Sequence, residues 1–221
     1  MRMTPPRPHV PATLDTSAAE QALRRWMAQG GRLLHLPGWL DSGPDHWQAR
    51  WWQLPGHSKL EQSDWQWPRR GDWMARLDEA VGAGQPDAAA IPTVLVAHSL
   101  GCQLVAAWAA HSRWTQRVAA AWLVAPPDTE GDDTPPQLHN WRPMPRQPLP
   151  FPALAVLSTD DPFAPLERAR TLCRDWGCEV REIGPTGHVN AASGLGDWPQ
   201  GRLWLAEWLL LRGINGATGS R

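Results

Sequence analysis

The fold of this 221-residue chain is decided by the stretch Thr93-Val94-Leu95-Val96-Ala97-His98-Ser99-Leu100-Gly101. Its first five residues are β-branched or apolar and predict a buried strand, and an Ala-rich helix is predicted over 100–111. Only His98 and Ser99 separate the two elements. A strand that turns into a helix at a serine, with small residues two places before and after it, is typical of a nucleophile elbow.

Ala97 and Gly101 are the small residues here, and Ala97 stands where glycine is usual. The simpler alternative is that Ser99 only caps the helix, which is a common role for serine. The direct succession of strand, Ser99 and helix favours the interpretation of Ser99 as a nucleophile. The same geometry aims the Leu100 N–H and the start of the helix at the serine, so we predict that this amide binds an oxyanion.

Further strands and helices alternate on both sides of this stretch. Strands are predicted at 32–36, 58–62, 118–125, 154–158 and 179–183, and helices at 18–29, 45–54, 71–81, 166–176 and 201–211, the last strongly amphipathic. Strands that are apolar throughout and separated by helices predict one open, mostly parallel α/β sheet with helices on both faces. We expect an N-terminal extension over 1–30, the hydrolase-like domain over 31–213 and a flexible tail over 214–221.

An activated serine needs a general base, and in this architecture the order along the chain is Ser, Asp or Glu, then His. Of the histidines after Ser99, His111 ends a helix that points away and His139 lies in a Pro-rich loop. His188 follows the strand at 179–183, at the edge of the sheet where such folds place catalytic groups. We therefore predict His188 as the base.

The orienting acid is predicted at the end of the strand over 154–158. Asp160 and Asp161 follow this strand, and adjacent side chains diverge, so at most one of them can face His188. Pro162 fixes the turn after Asp161, and we choose Asp161 as the acid. We expect Asp160 either to cap the next helix or to be solvated. As an alternative, both aspartates are only turn formers.

The substrate surroundings are assigned from the loop after the first strand and from two neighbours of the catalytic residues. Gly38 allows close backbone approach, and the Trp39 N–H is the second predicted oxyanion donor. His98 points away from Ser99, so it is a packing or hydrogen-bonding residue of the site and not the base. Gly38, His98 and Trp198 are the predicted substrate-binding residues, with Trp198 as a wall. The chain has no tyrosine, so backbone amides must supply most oxyanion stabilisation.

Taken together, these motifs resemble the small serine hydrolases of the retinoblastoma-binding-protein-9/YdeN family. The motifs are LPGW (36–39), HWQARW (46–51), VAHSLG (96–101), LVAPPD (123–128), STDDPF (158–163) and GHVNAASGLGDWPQG (187–201). The resemblance covers about residues 31–211 and implies a compact α/β-hydrolase with little or no lid domain. It also implies Ser99 as nucleophile, Asp161 as acid and His188 as base. It leaves the substrate open.

Composition excludes several other classes of function. The chain has 21 basic and 22 acidic side chains, so no strong field draws it to nucleic acid or anionic lipid. No run approaches ~18 apolar residues, and the N-terminus lacks the apolar region of a secretory signal. Three scattered cysteines predict reduced thiols. We expect a cytoplasmic protein without a membrane span, a metal or another cofactor.

Three functions from different classes are weighed. The first is a serine hydrolase that cleaves small esters, thioesters or amides through an acyl-enzyme. The second is a binding module for a protein partner, because seven of the 16 tryptophans lie between residues 39 and 73. The third is a metal-dependent hydrolase, although His35, His46 and His57 are spaced eleven apart, which suits no helix face. Acyl preference, acyl transfer instead of hydrolysis, and oligomeric state stay open.

Overall fold

A computed structural model describes residues 16–83 and 92–214, and its core is a single parallel sheet. The six strands are β1 Arg32–Leu36, β2 His57–Lys59, β3 Thr93–His98, β4 Val118–Val124, β5 Ala153–Leu157 and β6 Glu179–Glu182. They lie in the order β2-β1-β3-β4-β5-β6, and each adjacent pair is parallel. The predicted open parallel sheet is confirmed. Of the predicted extension over 1–30 and the predicted tail over 214–221, residues 1–15 and 215–221 lie outside the described residues.

Six α-helices cover the sheet on both faces. They are α1 Thr16–Ala28, α2 Trp47–Trp51, α3 Arg70–Gly82, α4 Leu100–Ala109, α5 Leu166–Asp175 and α6 Pro199–Leu211. Strand β3 shows why its sequence is apolar throughout. Leu95 and Ala97 belong to the buried cluster that contains residues of α3, α4 and α5, whereas Val94 and Val96 belong to the cluster that contains residues of α1, α2 and α6. A strand buried on both faces has no solvent side, and so it shows no alternation of apolar and polar residues.

Two helices differ from their predictions. The helix predicted over 45–54 is shorter, since α2 begins after His46, whose side chain accepts a hydrogen bond from the Gln48 N–H. The amphipathic pattern predicted for α6 is wrong. The sheet covers one side of α6 and α1 packs on it as well, so Leu205 and Leu209 are buried while Leu203 and Leu210 are partly buried.

Helix α1, which falls inside the predicted N-terminal extension, is packed into this structure. Its residues Ala19, Leu23 and Trp26 are buried in the same cluster as Val94 of β3 and Leu205 of α6. The Pro-rich stretch over 126–152 contains the short 3-10 helix Pro136–Trp141. Among the described residues, no helix is long and apolar enough to cross a membrane.

The junction between β3 and α4 depends on a glycine that touches the neighbouring strand. A Cβ atom built on Gly101 would lie 2.2 Å from the carbonyl oxygen of Leu36, a distance at which backbone must move. The glycine of the elbow motif is therefore required because the first turn of α4 presses against the end of β1.

Gly101→Ala is expected to lower the free energy of unfolding by about 1–3 kcal/mol, because the added methyl group overlaps a backbone carbonyl. Urea denaturation of both proteins measures the difference. Gly71→Ala in α3 is the matched control, since nothing lies within 4 Å of its Cβ position. This control should be neutral or stabilising by up to ~1 kcal/mol. Equal stability of the Gly101→Ala variant and the parent would contradict the packing described.

Candidate active site

Ser99 occupies a strained backbone conformation at the end of β3. Its φ of 53° and ψ of −125° are unusual for a residue with a side chain, and such conformations cost about 1–3 kcal/mol. The Ser99 N–H donates to the Val124 carbonyl at 2.9 Å, and its carbonyl accepts from the Cys102 N–H at 2.8 Å. Strand β4, which ends at Val124, and helix α4, which contains Cys102, thus hold the turn at Ser99.

Gly38, from the loop after β1, lies directly against the Ser99 side chain. A Cβ at this position would be 2.7 Å from the Ser99 Cβ and 3.1 Å from its Oγ. Glycine is required at residue 38 for this reason, and not for a left-handed turn. Leu100, which follows Ser99 in the chain, is the first residue of α4. The backbone segments predicted to form the oxyanion site thus flank the serine, and their role in binding stays a prediction.

The loop that contains Gly38 and Trp39 continues through two left-handed residues. Leu40 has a φ of 67° and Asp41 a φ of 66°. The Lys59 ammonium holds this turn, because its Nζ lies 2.7 Å from the Asp41 Oδ2. The same ammonium lies over the rings of Trp52 and Trp65, at 5.1 and 5.0 Å from their centroids. Sequence reasoning missed this contact, although Lys59 is the only lysine in the chain.

His188 connects Ser99 to Asp161 through hydrogen bonds on both of its ring nitrogens. Its Nε2 lies 2.8 Å from the Ser99 Oγ, and its Nδ1 lies 2.9 Å from each carboxylate oxygen of Asp161. A carboxylate only accepts hydrogen bonds, so Nδ1 carries the proton and Nε2 is free to accept from the serine hydroxyl. The side chains of both His188 and Asp161 are buried. The structure therefore brings the three residues together in the predicted order.

Asp160 diverges from Asp161 and binds the loop that carries His188. Its Oδ1 accepts from the Ser158 hydroxyl and from the Gly187 N–H, each at 2.7 Å. These two hydrogen bonds, with that from Ser158 the larger cause, lower the pKa of Asp160 below its usual value. Asp160 is exposed, which agrees with the predicted alternative of a solvated side chain, and it also fastens the His188 loop to the end of β5.

Phe163 forms an apolar surface next to the histidine and was also missed by sequence reasoning. Its ring centroid lies 4.5 Å from that of His188, and 56% of the residue is exposed. The only feature of the sequence that could have indicated Phe163 was its position two residues after Asp161, the predicted acid. An exposed aromatic ring beside His188 is a surface that an apolar group of a substrate can contact.

Two of the predicted substrate-binding residues do not face open space. Trp198 is buried in the core, with ring centroids 5.0 Å from Trp47 and 6.0 Å from Trp51, so its assignment as a wall is wrong. His98 is buried as well, and its Nε2 bonds to the His188 carbonyl at 2.9 Å. This position agrees with the hydrogen-bonding role and not with substrate contact.

The Trp-rich segment over 39–73 does not form one exposed surface. Trp47, Trp51 and Trp73 are core residues as expected, whereas Trp67 is 57% exposed. The Trp39 indole N–H donates to the Gln66 carbonyl at 2.9 Å, which fixes this half-buried ring beside its own loop. Most of these rings therefore stabilise the fold around the site.

Two of the three histidines considered for metal binding meet in the structure. The His35 Nε2 and His57 Nδ1 atoms lie 2.9 Å apart, whereas His46 packs against His98 instead. Burial lowers the pKa of both His46 and His57 to about 4. Within 16–83 and 92–214, no group of three or more His, Cys, Asp or Glu side chains is placed to hold a metal ion.

A parallel sheet with a serine at a strand-to-helix elbow defines the α/β-hydrolase class. Residues 33–207 match the model of the Serine hydrolase family, and the chain belongs to that family. The sequence-based recognition is thereby confirmed. Comparison with curated proteins gave no match.

Solved structures show the same fold at low sequence identity. A YdeN-like hydrolase from Pectobacterium atrosepticum is 24% identical, with a TM-score of 0.73 over 87% of this chain and 97% of that one. The ydeN gene product of B. subtilis is 17% identical, with a TM-score of 0.58 over 83% and 98%. The butyrate-bound esterase Est2 from Thermogutta terrifontis is 17% identical, with a TM-score of 0.56 over 86% and 87%.

Trp198→Ala is expected to lower the free energy of unfolding by about 3–5 kcal/mol, because it removes a buried ring from the core. Trp67→Ala is the matched control and should change stability by less than ~0.5 kcal/mol, because this ring is exposed. Chemical denaturation monitored by circular dichroism compares the two. A Trp198→Ala protein as stable as its parent would restore Trp198 as a surface residue.

Proposed function

We propose that this protein hydrolyses small carboxylic esters through a Ser99–His188–Asp161 triad and a covalent acyl-enzyme. The observation that carries the proposal is the continuous set of hydrogen bonds from Asp161 through His188 to the Ser99 Oγ. An isolated serine hydroxyl is a weak nucleophile at neutral pH. It becomes reactive when a base accepts its proton and a third group holds that base in the correct tautomer.

In the acylation step, the Ser99 Oγ attacks the ester carbonyl carbon while His188 Nε2 takes the hydroxyl proton. The carbonyl oxygen becomes an oxyanion, which the Leu100 and Trp39 amides stabilise. When the intermediate collapses, the bond to the alcohol breaks and the imidazolium protonates the departing oxygen. Asp161 stabilises the imidazolium throughout and itself stays ionised.

In the deacylation step, His188 Nε2 takes a proton from water, and the water oxygen attacks the acyl carbon. A second tetrahedral intermediate collapses, the bond to the Ser99 Oγ breaks, and that oxygen regains its proton from the imidazolium. The carboxylic acid leaves and the free enzyme is restored.

The surroundings of His188 support substrates with short apolar groups. Phe163 lies against the imidazole, and Leu40, two residues after Gly38, is 58% exposed. An acyl or alcohol group that contacts these side chains gains free energy from apolar burial. The butyrate bound to the Thermogutta terrifontis esterase is a short acyl group of this kind.

Ser99→Ala is expected to reduce kcat for p-nitrophenyl acetate and butyrate by at least about 10³-fold, because no other atom takes the place of Oγ. Ser63→Ala is the matched control at an exposed serine and should keep the parent's kcat. Initial rates at several substrate concentrations give kcat and KM. Activity retained in Ser99→Ala would contradict the role of Ser99 as nucleophile, whereas a folded parent without activity on any ester, thioester or amide tried would favour the binding-module alternative.

A further inference from the structure

We propose that His98 and Trp47 are positioning residues for His188. Their ring N–H groups hold two consecutive carbonyls, those of His188 and Val189, and so keep a strained loop in the form that aims the imidazole at Ser99. The inference rests on the proposed hydrolase function and adds two residues to the machinery of that site.

The backbone has a positive φ on both sides of His188. Gly187 has a φ of 59° and Val189 a φ of 51°. Glycine adopts positive φ readily, but a β-branched residue there is an outlier, and it persists only where neighbouring groups enforce it. Val189 is also fully buried, so its conformation is set by packing and hydrogen bonds and not by solvent.

The enforcing groups are two buried donors. The His98 Nε2 lies 2.9 Å from the His188 carbonyl oxygen, and the Trp47 Nε1 lies 2.8 Å from the Val189 carbonyl oxygen. A carbonyl oxygen only accepts, so His98 carries its proton on Nε2. Burial lowers the pKa of His98 well below its usual value, which favours the neutral ring.

These donors come from elements that are already fixed. His98 is the last residue of β3 and directly precedes Ser99, so a single backbone segment sets the positions of the serine and of one anchor of its base. Trp47 is the first residue of α2, a helix that Gln48 also ties to the sheet through the Val96 carbonyl at 3.0 Å. The His188 side chain has only two torsions, so its Nε2 position follows the backbone that these anchors hold.

A structural role in the core is the competing explanation, and Trp122 in β4 separates the two. Trp47 and Trp122 are both fully buried in the same apolar cluster. The Trp122 indole N–H has no hydrogen-bond partner among the described residues, whereas that of Trp47 binds Val189. Replacement by Phe removes the same ring area and N–H at both positions, but only at Trp47 does it free a carbonyl of the His188 loop.

The test compares Trp47→Phe with Trp122→Phe, and His98→Met with His98→Gln, in the full-length protein. We measure kcat and KM for p-nitrophenyl butyrate and the midpoint of urea unfolding. Trp47→Phe and His98→Met should each lower kcat about tenfold, with KM within about twofold of the parent, because one hydrogen bond is lost. Trp122→Phe should keep the parent's kcat. His98→Gln should recover most of it, since its amide N–H can take the place of Nε2–H.

The proposal is overturned if Trp47→Phe and Trp122→Phe have equal kcat, or if His98→Gln is as slow as His98→Met. A kcat that falls in proportion to stability across all four variants would likewise assign these residues to the core alone. A parent protein without esterase activity would instead refute the proposed function, and that outcome is seen before any variant is made. The Trp pair keeps the test decisive if His98→Met does not fold.

Discussion

The reactive geometry of this protein depends on the backbone of Ser99, which is held in a conformation that few residues with side chains adopt. The Val124 carbonyl at the end of β4 accepts a hydrogen bond from the Ser99 N–H, and α4 begins directly after Ser99. Gly38 and Gly101 let the loop after β1 and the first turn of α4 approach closely, because a Cβ at either position would collide with Ser99 or with Leu36. Without this set of contacts the serine side chain would not be presented at the edge of the sheet.

The base is held in a comparable way. Asp160 accepts the Gly187 N–H, and His98 and Trp47 donate to the two carbonyls that follow. Local strain thus occurs at Ser99 and at Val189, the residue next to His188, on both sides of the hydrogen bond between Ser99 and His188. Functional sites are where proteins commonly break local conformational rules. The cost of this strain is offset by the buried sheet and by the tryptophans packed around α2.

Much of the site could be predicted from the sequence, because the parallel α/β pattern places the carboxyl ends of its strands at one edge. Ser99, Asp161 and His188 follow three such strands, so their proximity follows from topology. The divergence of adjacent side chains left one acid of the pair to face His188, and Pro162, which follows Asp161, was the ground for choosing Asp161. The elbow itself was visible in the change from a strand to a helix at one serine.

What could not be predicted depends on packing between distant segments. The burial of Trp198 is decided by Trp47 and Trp51, which lie about 150 residues earlier in the chain. Helix α6 is apolar on both sides because α1 packs on it in addition to the sheet, and this pairing could not be inferred from the sequence of either helix. The same holds for the positive φ of Val189, since valine is a residue type that disfavours it.

The most direct test of the account is to treat the folded protein with a fluorophosphonate and to locate the adduct by peptide mass spectrometry. Hydroxyl oxygen attacks the phosphorus and displaces fluoride only where a base removes its proton. The account predicts one adduct per chain, on Ser99, and none when the protein is first unfolded in urea. A folded protein that gains no adduct, or gains it on another residue, would contradict the claim that His188 activates Ser99.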